Sequence, residues 1–134
     1  MFDSSYAFSS FSVDDLQRAK EFYGGTLGLQ VSEDAMGLEL HLTSGAKVFV
    51  YPKPDHAPAT FTILNFAVDS VERAVDELTG AGVRFEIYDR AGLVTDQRGI
   101  LADEHMKIAW FRDPAGNILS VLEDARAVRE ASTT

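Results

Sequence analysis

Phe11 and Phe66, Val13 and Val68, Asp14 and Asp69, Arg18 and Arg73, and Ala19 and Ala74 each stand 55 residues apart. The correspondence continues with Gly28-Leu29 against Gly82-Val83 at a spacing of 54, and with Gly45 against Gly116 at 71. The last spacing lays Lys47-Val48-Phe49 over Ile118-Leu119-Ser120. A repeat of this length is a whole supersecondary unit, so the 134 residues are read as two copies of one module within a single domain.

Periodicity supplies the contents of that module. Residues 6–13 (YAFSSFSV) read as a strand with Phe11 and Val13 on one face and Tyr6, Phe8, Ser10 and Ser12 on the other. Asp14 is the expected N-cap of a helix in DLQRAKEFYGG, with Leu16, Ala19, Phe22 and Tyr23 as its apolar stripe and Gly24-Gly25 as its end. Strands are expected at about 29–33, 37–43 and 46–52, the last two joined across Ser44-Gly45. After a proline-rich connector, 54–60, the order restarts with FTILNFAV, where Leu64, Phe66 and Val68 oppose Phe61, Ile63 and Asn65. Asp69, with Glu72 three residues on, gives a capping-box-like start to SVERAVDELTGAG. Strands are expected near 83–88, 106–112 and 117–122, with a turn at Asp113–Asn117, and DARAVREASTT reads as a short helical or frayed tail.

The modules thus span about 6–53 and 61–123, each in βαβββ order. One helix can cover only one face of a four-stranded sheet. The expected fold is therefore α+β: two βαβββ modules forming a curved, cup-shaped mixed β-sheet with the helices outside.

Composition narrows the partners. Twelve Lys+Arg against 21 Asp+Glu give a net charge of −9, which repels phosphate backbones and argues against nucleic acid. With no cysteine there is neither a disulfide framework nor a thiolate metal site. No apolar run approaches the roughly 18–20 residues that cross a bilayer, and the start MFDSSYAFSS lacks a basic region followed by an apolar one. The chain reads as cytoplasmic, with no membrane partner.

The helix-facing positions Phe11, Val13, Leu64, Phe66, Val68, Leu119 and Val121 are uniformly apolar, whereas the opposite face mixes Ser10, Glu39, His41, Lys47, Asn65 and Ser120 with aromatics. A concave face of that kind is the chemistry of a small-molecule site. Glu39 and His41 alternate with Leu38, Leu40 and Leu42, which points both into the cup as candidate catalytic groups for proton transfer or as ligand anchors. The candidate ligand-binding residues are Phe8, Ser10, Phe49, Tyr51, Ile63, Asn65, Trp110 and Ser120. Laying IAWF over ELHL aligns Trp110 with His41. His56 sits in the connector and reads as a solvated loop residue, and His105 follows an acidic turn. Residues 89–104 form a long connection, either a lid or a partner-contacting loop, with Asp96, Gln97 and Arg98 as its polar contacts.

Three segments, FSVDDLQRAKEFYGGTLGLQV, FAVDSVERAVDELTGAGVRF and AWFRDPAGNILSVLED, carry a resemblance to the vicinal oxygen chelate superfamily of glyoxalase I, bleomycin-resistance proteins and extradiol dioxygenases. The resemblance covers residues 6–124, and DPAGNILSVLED is its most specific part. It implies a divalent metal held by His, Glu or Gln from the first and fourth strands of each module. Matching motif to motif, those positions fall on Phe8, Phe49, Ile63 and Ser120. Three have no donor atom and a serine hydroxyl alone is a poor ligand, so no metal and no cofactor is expected. Glyoxalase and dioxygenase chemistry, which depends on that metal, is correspondingly in question.

Two functions compete. One is a metal-free protein that binds a small molecule, as bleomycin-resistance proteins sequester a drug. The other is an enzyme of the same fold (isomerase, lyase or dioxygenase-like), working through His41 and Glu39 or through a metal at other positions. Because related proteins often pair modules across two chains, the resemblance also implies a homodimer.

Overall fold

The computed structural model describes residues 2–124; the expected tail lies outside the described residues, apart from its first residue. The chain divides between Pro58 and Ala59 into two units.

In the first unit, β1 (Ser9–Val13) leads to a helix, α1 (Leu16–Lys20), that continues as a π-helical turn over Glu21–Thr26. β2 (Gln30–Glu33), β3 (Leu38–His41) and β4 (Lys47–Pro52) follow. The sheet order is β1-β4-β3-β2, with β1 and β4 parallel and the other pairs antiparallel. Strand alternation places Val13, Leu38, Leu40, Val48 and Val50 on one face, buried with Ala19 and Tyr23 of the helical segment. Each such aliphatic side chain removed from water contributes about 1.5–3 kcal/mol, which makes this face the core of the unit. Tyr23 closes it, with its ring centroid 5.7 Å from Phe11 and 5.2 Å from Phe22.

The second unit repeats the plan with β5 (Thr62–Ala67), α2 (Val71–Gly80), β8 (Ile100–Ala102), β9 (Met106–Arg112) and β10 (Ile118–Asp124) in the order β5-β10-β9-β8. A separate hairpin of β6 (Asp89–Arg90) and β7 (Leu93–Val94) is inserted before β8. The fold is α+β, built of two βαβββ modules as expected. The registers agree with the repeat: Ser10 pairs with Phe49 in one sheet and Asn65 with Ser120 in the other, positions 55 and 71 apart.

Several local expectations are corrected. Asp15, not Asp14, caps α1: its extended backbone lets its carboxylate accept the Arg18 N–H at 3.1 Å. Ser70, not Asp69, caps α2 by accepting the Arg73 N–H at 3.2 Å. Glu72 forms no capping box; it pairs with Lys107, and Glu123 reaches from β10 to accept the Val71 N–H at 2.7 Å. Gly24-Gly25 do not end the first helical segment, which runs on to Thr26 and turns at Gly28, where φ is +73°. Its counterpart in the second unit turns at Gly82, φ +99°. The stretch from Asp15 to Gly28 is one residue longer than that from Ser70 to Gly82, and a π turn is the way a helix absorbs one extra residue. The change of spacing from 55 to 54 is located there.

β1 begins at Ser9, so Tyr6 and Phe8 precede the strand. No regular strand forms at 83–88. Phe85 makes one bridge to Phe111, and the Glu86 N–H donates to the Trp110 carbonyl. The rest of that β9 edge is taken by β8, through Ile100↔Ala109, Leu101↔Ile108 and Ala102↔Lys107. The 89–104 connection therefore consists of the hairpin, a turn and an edge strand. Asp96 accepts the N–H groups of Arg98 and Ile100 and so stabilises this segment from within, whereas Arg98 ties it to α2 through Asp76 and the Glu72 carbonyl.

Candidate functional site

Each sheet has a face that its helix leaves open. In the first unit that face carries Ser10, Ser12, Glu39, His41, Lys47, Phe49 and Tyr51, placed by the same alternation that buries their neighbours. Phe49 and Tyr51 stack with centroids 6.1 Å apart and planes inclined by 16°. Phe49 also lines a groove of about 650 Å³, with Phe8, Tyr6, Met36, Glu39 and Lys47. One wall is the turn before β3. Asp34 accepts the N–H groups of Met36 and Gly37, and a side chain at Gly37 would collide with the Val50 carbonyl oxygen. Phe8 and Met36 remain 68% and 72% exposed, so the groove presents apolar surface to solvent.

His41 and Glu39 do come together. His41 Nε2 lies 2.8 Å from Ser32 Oγ and 3.4 Å from Glu39 Oε1, and Lys47 Nζ lies 3.6 Å from the same carboxylate oxygen. A single imidazole nitrogen thus faces both the hydroxyl and the carboxylate. That differs from a relay, in which base and orienting acid contact opposite ring nitrogens. His56 is engaged through Nδ1 with Ser12 Oγ at 2.7 Å and is half-buried rather than a solvated loop residue.

In the second unit the open face carries Asn65, Ser120 and Trp110. Ser120 is fully buried and donates to Asn65 Oδ1 at 2.6 Å, and Trp110 is its direct cross-strand partner. The Trp110 ring meets Tyr88 edge to face at 5.6 Å. Ile63 is the extra residue of a bulge: Ile118 pairs with Thr62 and Leu119 with Leu64, which leaves Ile63 out of the ladder. The alignment of Trp110 with His41 is corrected by the registers. Glu39 pairs with Phe49 as Trp110 pairs with Ser120, so Trp110 is equivalent to Glu39 and Arg112 to His41.

Sequence reasoning missed Ser32, Met36, Tyr88 and Arg90. The Asp34-Ala35-Met36-Gly37 run is a turn signal that placed Met36 beside a strand, whereas Tyr88 ends a stretch that reads as a strand and forms none, and Arg90 lies just beyond it in the long connection.

A comparison with protein families matches residues 7–121 to the Glyoxalase/Bleomycin resistance protein/Dioxygenase superfamily. The chain belongs to that superfamily. Solved structures with the same fold include TnmS3, an antibiotic binding protein from Streptomyces sp. CB03234 (20% identity, 92% of this chain and 100% of that one, TM-score 0.65). They also include a fosfomycin resistance protein from Listeria monocytogenes (14% identity, 96% and 99%, TM-score 0.67) and a glyoxalase family protein from Enterococcus faecalis (21% identity, 92% and 100%, TM-score 0.63). A comparison with curated protein sequences gives no match.

The metal common in this fold family does not fit the residues present. Phe8, Phe49 and Ile63 offer no donor, and the Ser120 hydroxyl is buried and committed to Asn65. Among the described residues no group of three or more His, Asp or Glu side chains is placed to hold an ion. No helix among them is long and apolar enough to cross a membrane.

Proposed function

We propose that this protein binds an apolar or aromatic small molecule against its open sheet faces, without a metal and without transforming it. The observation that carries this reading is the first unit's groove, where the exposed Phe8 and the half-buried, stacked Phe49 stand beside Glu39 and Lys47. Aromatic rings left without a covering helix cost solvation free energy unless a ligand shields them, at roughly 25 cal/mol per Å² of apolar surface. The likeness to an antibiotic binding protein supports a binding role for such faces.

Trp110 is the reporter and the second anchor. A compound screen read by tryptophan fluorescence and thermal shift is expected to give micromolar binders. Trp110→Ala should weaken those that quench it about tenfold, or ~1.4 kcal/mol. Hits that bind Trp110→Ala unchanged would remove this residue from the site. Native mass spectrometry of the protein as purified is expected to show no stoichiometric metal and a homodimer, which requires an interface of roughly 1,000 Å² or more. One ion per chain after dialysis, or a mass near 14.7 kDa at tens of micromolar, would contradict these two parts respectively.

The contact of His41 with Ser32 and Glu39 favours one second reading, an enzyme using His41 as proton carrier. Turnover of a bound compound that is abolished in His41→Gln would establish it in place of the first.

A further inference from the structure

The inserted hairpin gives the second unit a feature that the repeat does not explain. Tyr88 precedes β6, and its backbone is held on both sides by Thr95: the Tyr88 N–H donates to Thr95 Oγ1 at 2.9 Å and the Thr95 N–H donates to the Tyr88 carbonyl at 2.9 Å. Thr95 is buried, so this clamp is sheltered from water. β6 and β7 then close through Asp89↔Val94 and Arg90↔Leu93, with Gly92 at φ +79° in the turn. The result is a short arm that fixes two side chains relative to β9.

Those side chains form a ladder on Trp110. The Tyr88 ring stands edge to face against the indole at 5.6 Å, and the Arg90 guanidinium carbon lies 5.2 Å over the Tyr88 ring. These two distances keep the guanidinium carbon within about 11 Å of the indole centre. Stacking on an aromatic face fixes the plane of a guanidinium and leaves its N–H edge to donate. Among the described residues, no carboxylate lies within ion-pairing distance of Arg90. Its neighbours in this unit differ: Arg98 pairs with Asp76, and Arg112 pairs with Glu86.

We infer that Trp110, Tyr88 and Arg90 form a subsite for a planar aromatic anion, whose ring packs against Trp110 and whose carboxylate takes the guanidinium edge of Arg90 in a two-point hydrogen bond. The inference rests on the reading of the protein as a small-molecule binder and adds the ligand class. The charge of the chain sharpens it. A protein of net charge −9 repels anions, so an aromatic acid should bind less well than its neutral amide unless a dedicated cation reverses the order. The fork of an arginine is the group that does so for a carboxylate.

The probes are 1-naphthoate and 1-naphthamide, which share a ring system and differ in charge, titrated at neutral pH and low salt against the full chain by tryptophan fluorescence and calorimetry. The wild-type protein is expected to bind the acid at least fivefold more tightly than the amide. Arg90→Gln should invert that ratio, Arg90→Lys should restore part of it, and Trp110→Ala should weaken both compounds. The melting temperature of Arg90→Gln, expected within a degree of wild type, separates loss of the anion contact from loss of the hairpin. A preference for the amide in the wild type, or an unchanged ratio in Arg90→Gln, overturns the anion subsite while leaving the small-molecule reading intact. If neither compound binds, both the subsite and the role of Trp110 as a ligand platform are overturned, and the first unit's groove is then judged by the compound screen alone.

Discussion

The turns Leu42–Ala46 and Asp113–Asn117 occupy the same place in the two units and reach one backbone shape by different means. In each, the first residue's N–H donates to the fifth residue's carbonyl, at 3.0 and 2.9 Å, and a glycine N–H donates back to the first carbonyl, at 2.9 and 3.0 Å. Gly45 and Gly116 hold φ values of +95° and +85°, where a side chain would be strained. The side chains then diverge. The first turn has only Ser44 Oγ accepting from Ala46 at 3.3 Å, exposed to water. In the second, the buried Asp113 carboxylate accepts the N–H groups of Ala115 and Asn117 and the Asn117 side-chain amide. A repeat thus preserves backbone geometry, while the interactions that hold the geometry are free to differ. The sheet edges teach the same lesson. β2 follows its helical segment directly, whereas β8 arrives after a hairpin insertion, because an edge strand needs a partner on one side only.

The strongest test of the equivalence lies in the cores. Leu40 and Phe111 are 71 residues apart, fully buried and on the helix-facing side of matching strands. Leu40→Ala should cost about 2–5 kcal/mol and Phe111→Ala about 3–5 kcal/mol, measured by urea unfolding. If either costs less than about 1 kcal/mol, its unit does not have the core described. The turns come next. Asp113→Ala strands buried donors and should cost about 2–3 kcal/mol, whereas Ser44→Ala should change stability by under ~0.5 kcal/mol. Equal effects at the two positions would show that the carboxylate is not what holds the second turn.

How far these features could be read in advance depends on their periodicity. The alternation Leu38-Glu39-Leu40-His41 and Lys47-Val48-Phe49-Val50 has the strand period, and the structure buries the expected face. The caps were displaced by one residue because Asp14-Asp15 and Asp69-Ser70 each offer two competent side chains in succession. Only backbone geometry chooses between them. Val83-Arg84-Phe85-Glu86 also alternates, and Val83 and Phe85 are indeed buried, but the β9 edge they would pair with is largely taken by a strand later in the sequence. Local pattern carries no information about such competition. The same limit applies to the candidate site: Phe49, Tyr51 and Trp110, on strands of the repeated sheets, were legible, whereas Met36 in a turn and Arg90 in the two-residue strand of the inserted hairpin were not.

A small effect that depends on pH and salt concerns an ion pair in the second unit. Lys107 of β9 donates to Glu72 of α2 at 2.7 Å, so the pair ties helix to sheet, while the first unit's Lys20–Glu33 pair at 2.9 Å ties its helix to β2. The hydrogen bond from Lys107 holds the Glu72 carboxyl below its ordinary value of 4.5, and the same bond holds the Lys107 ammonium above 10.5. The signs follow from linkage. A carboxyl with a lowered folded pKa stabilises the protein above its ordinary pKa, and that contribution disappears as pH falls through the lowered value. An ammonium with a raised pKa stabilises below its ordinary value, and that contribution disappears as pH rises through the raised one. The difference in melting temperature between wild type and Lys107→Met should therefore be flat across the neutral range. It should shrink below about pH 4.5 and above about pH 10.5, and it should fall with added salt because both side chains are more than a third exposed. Lys20→Met, whose partner Glu33 is similarly exposed, sets the size expected of an ordinary surface pair, about 0.2–1 kcal/mol. A Lys107→Met effect that does not vary with pH would mean that its lost packing, rather than its charge, joins α2 to β9.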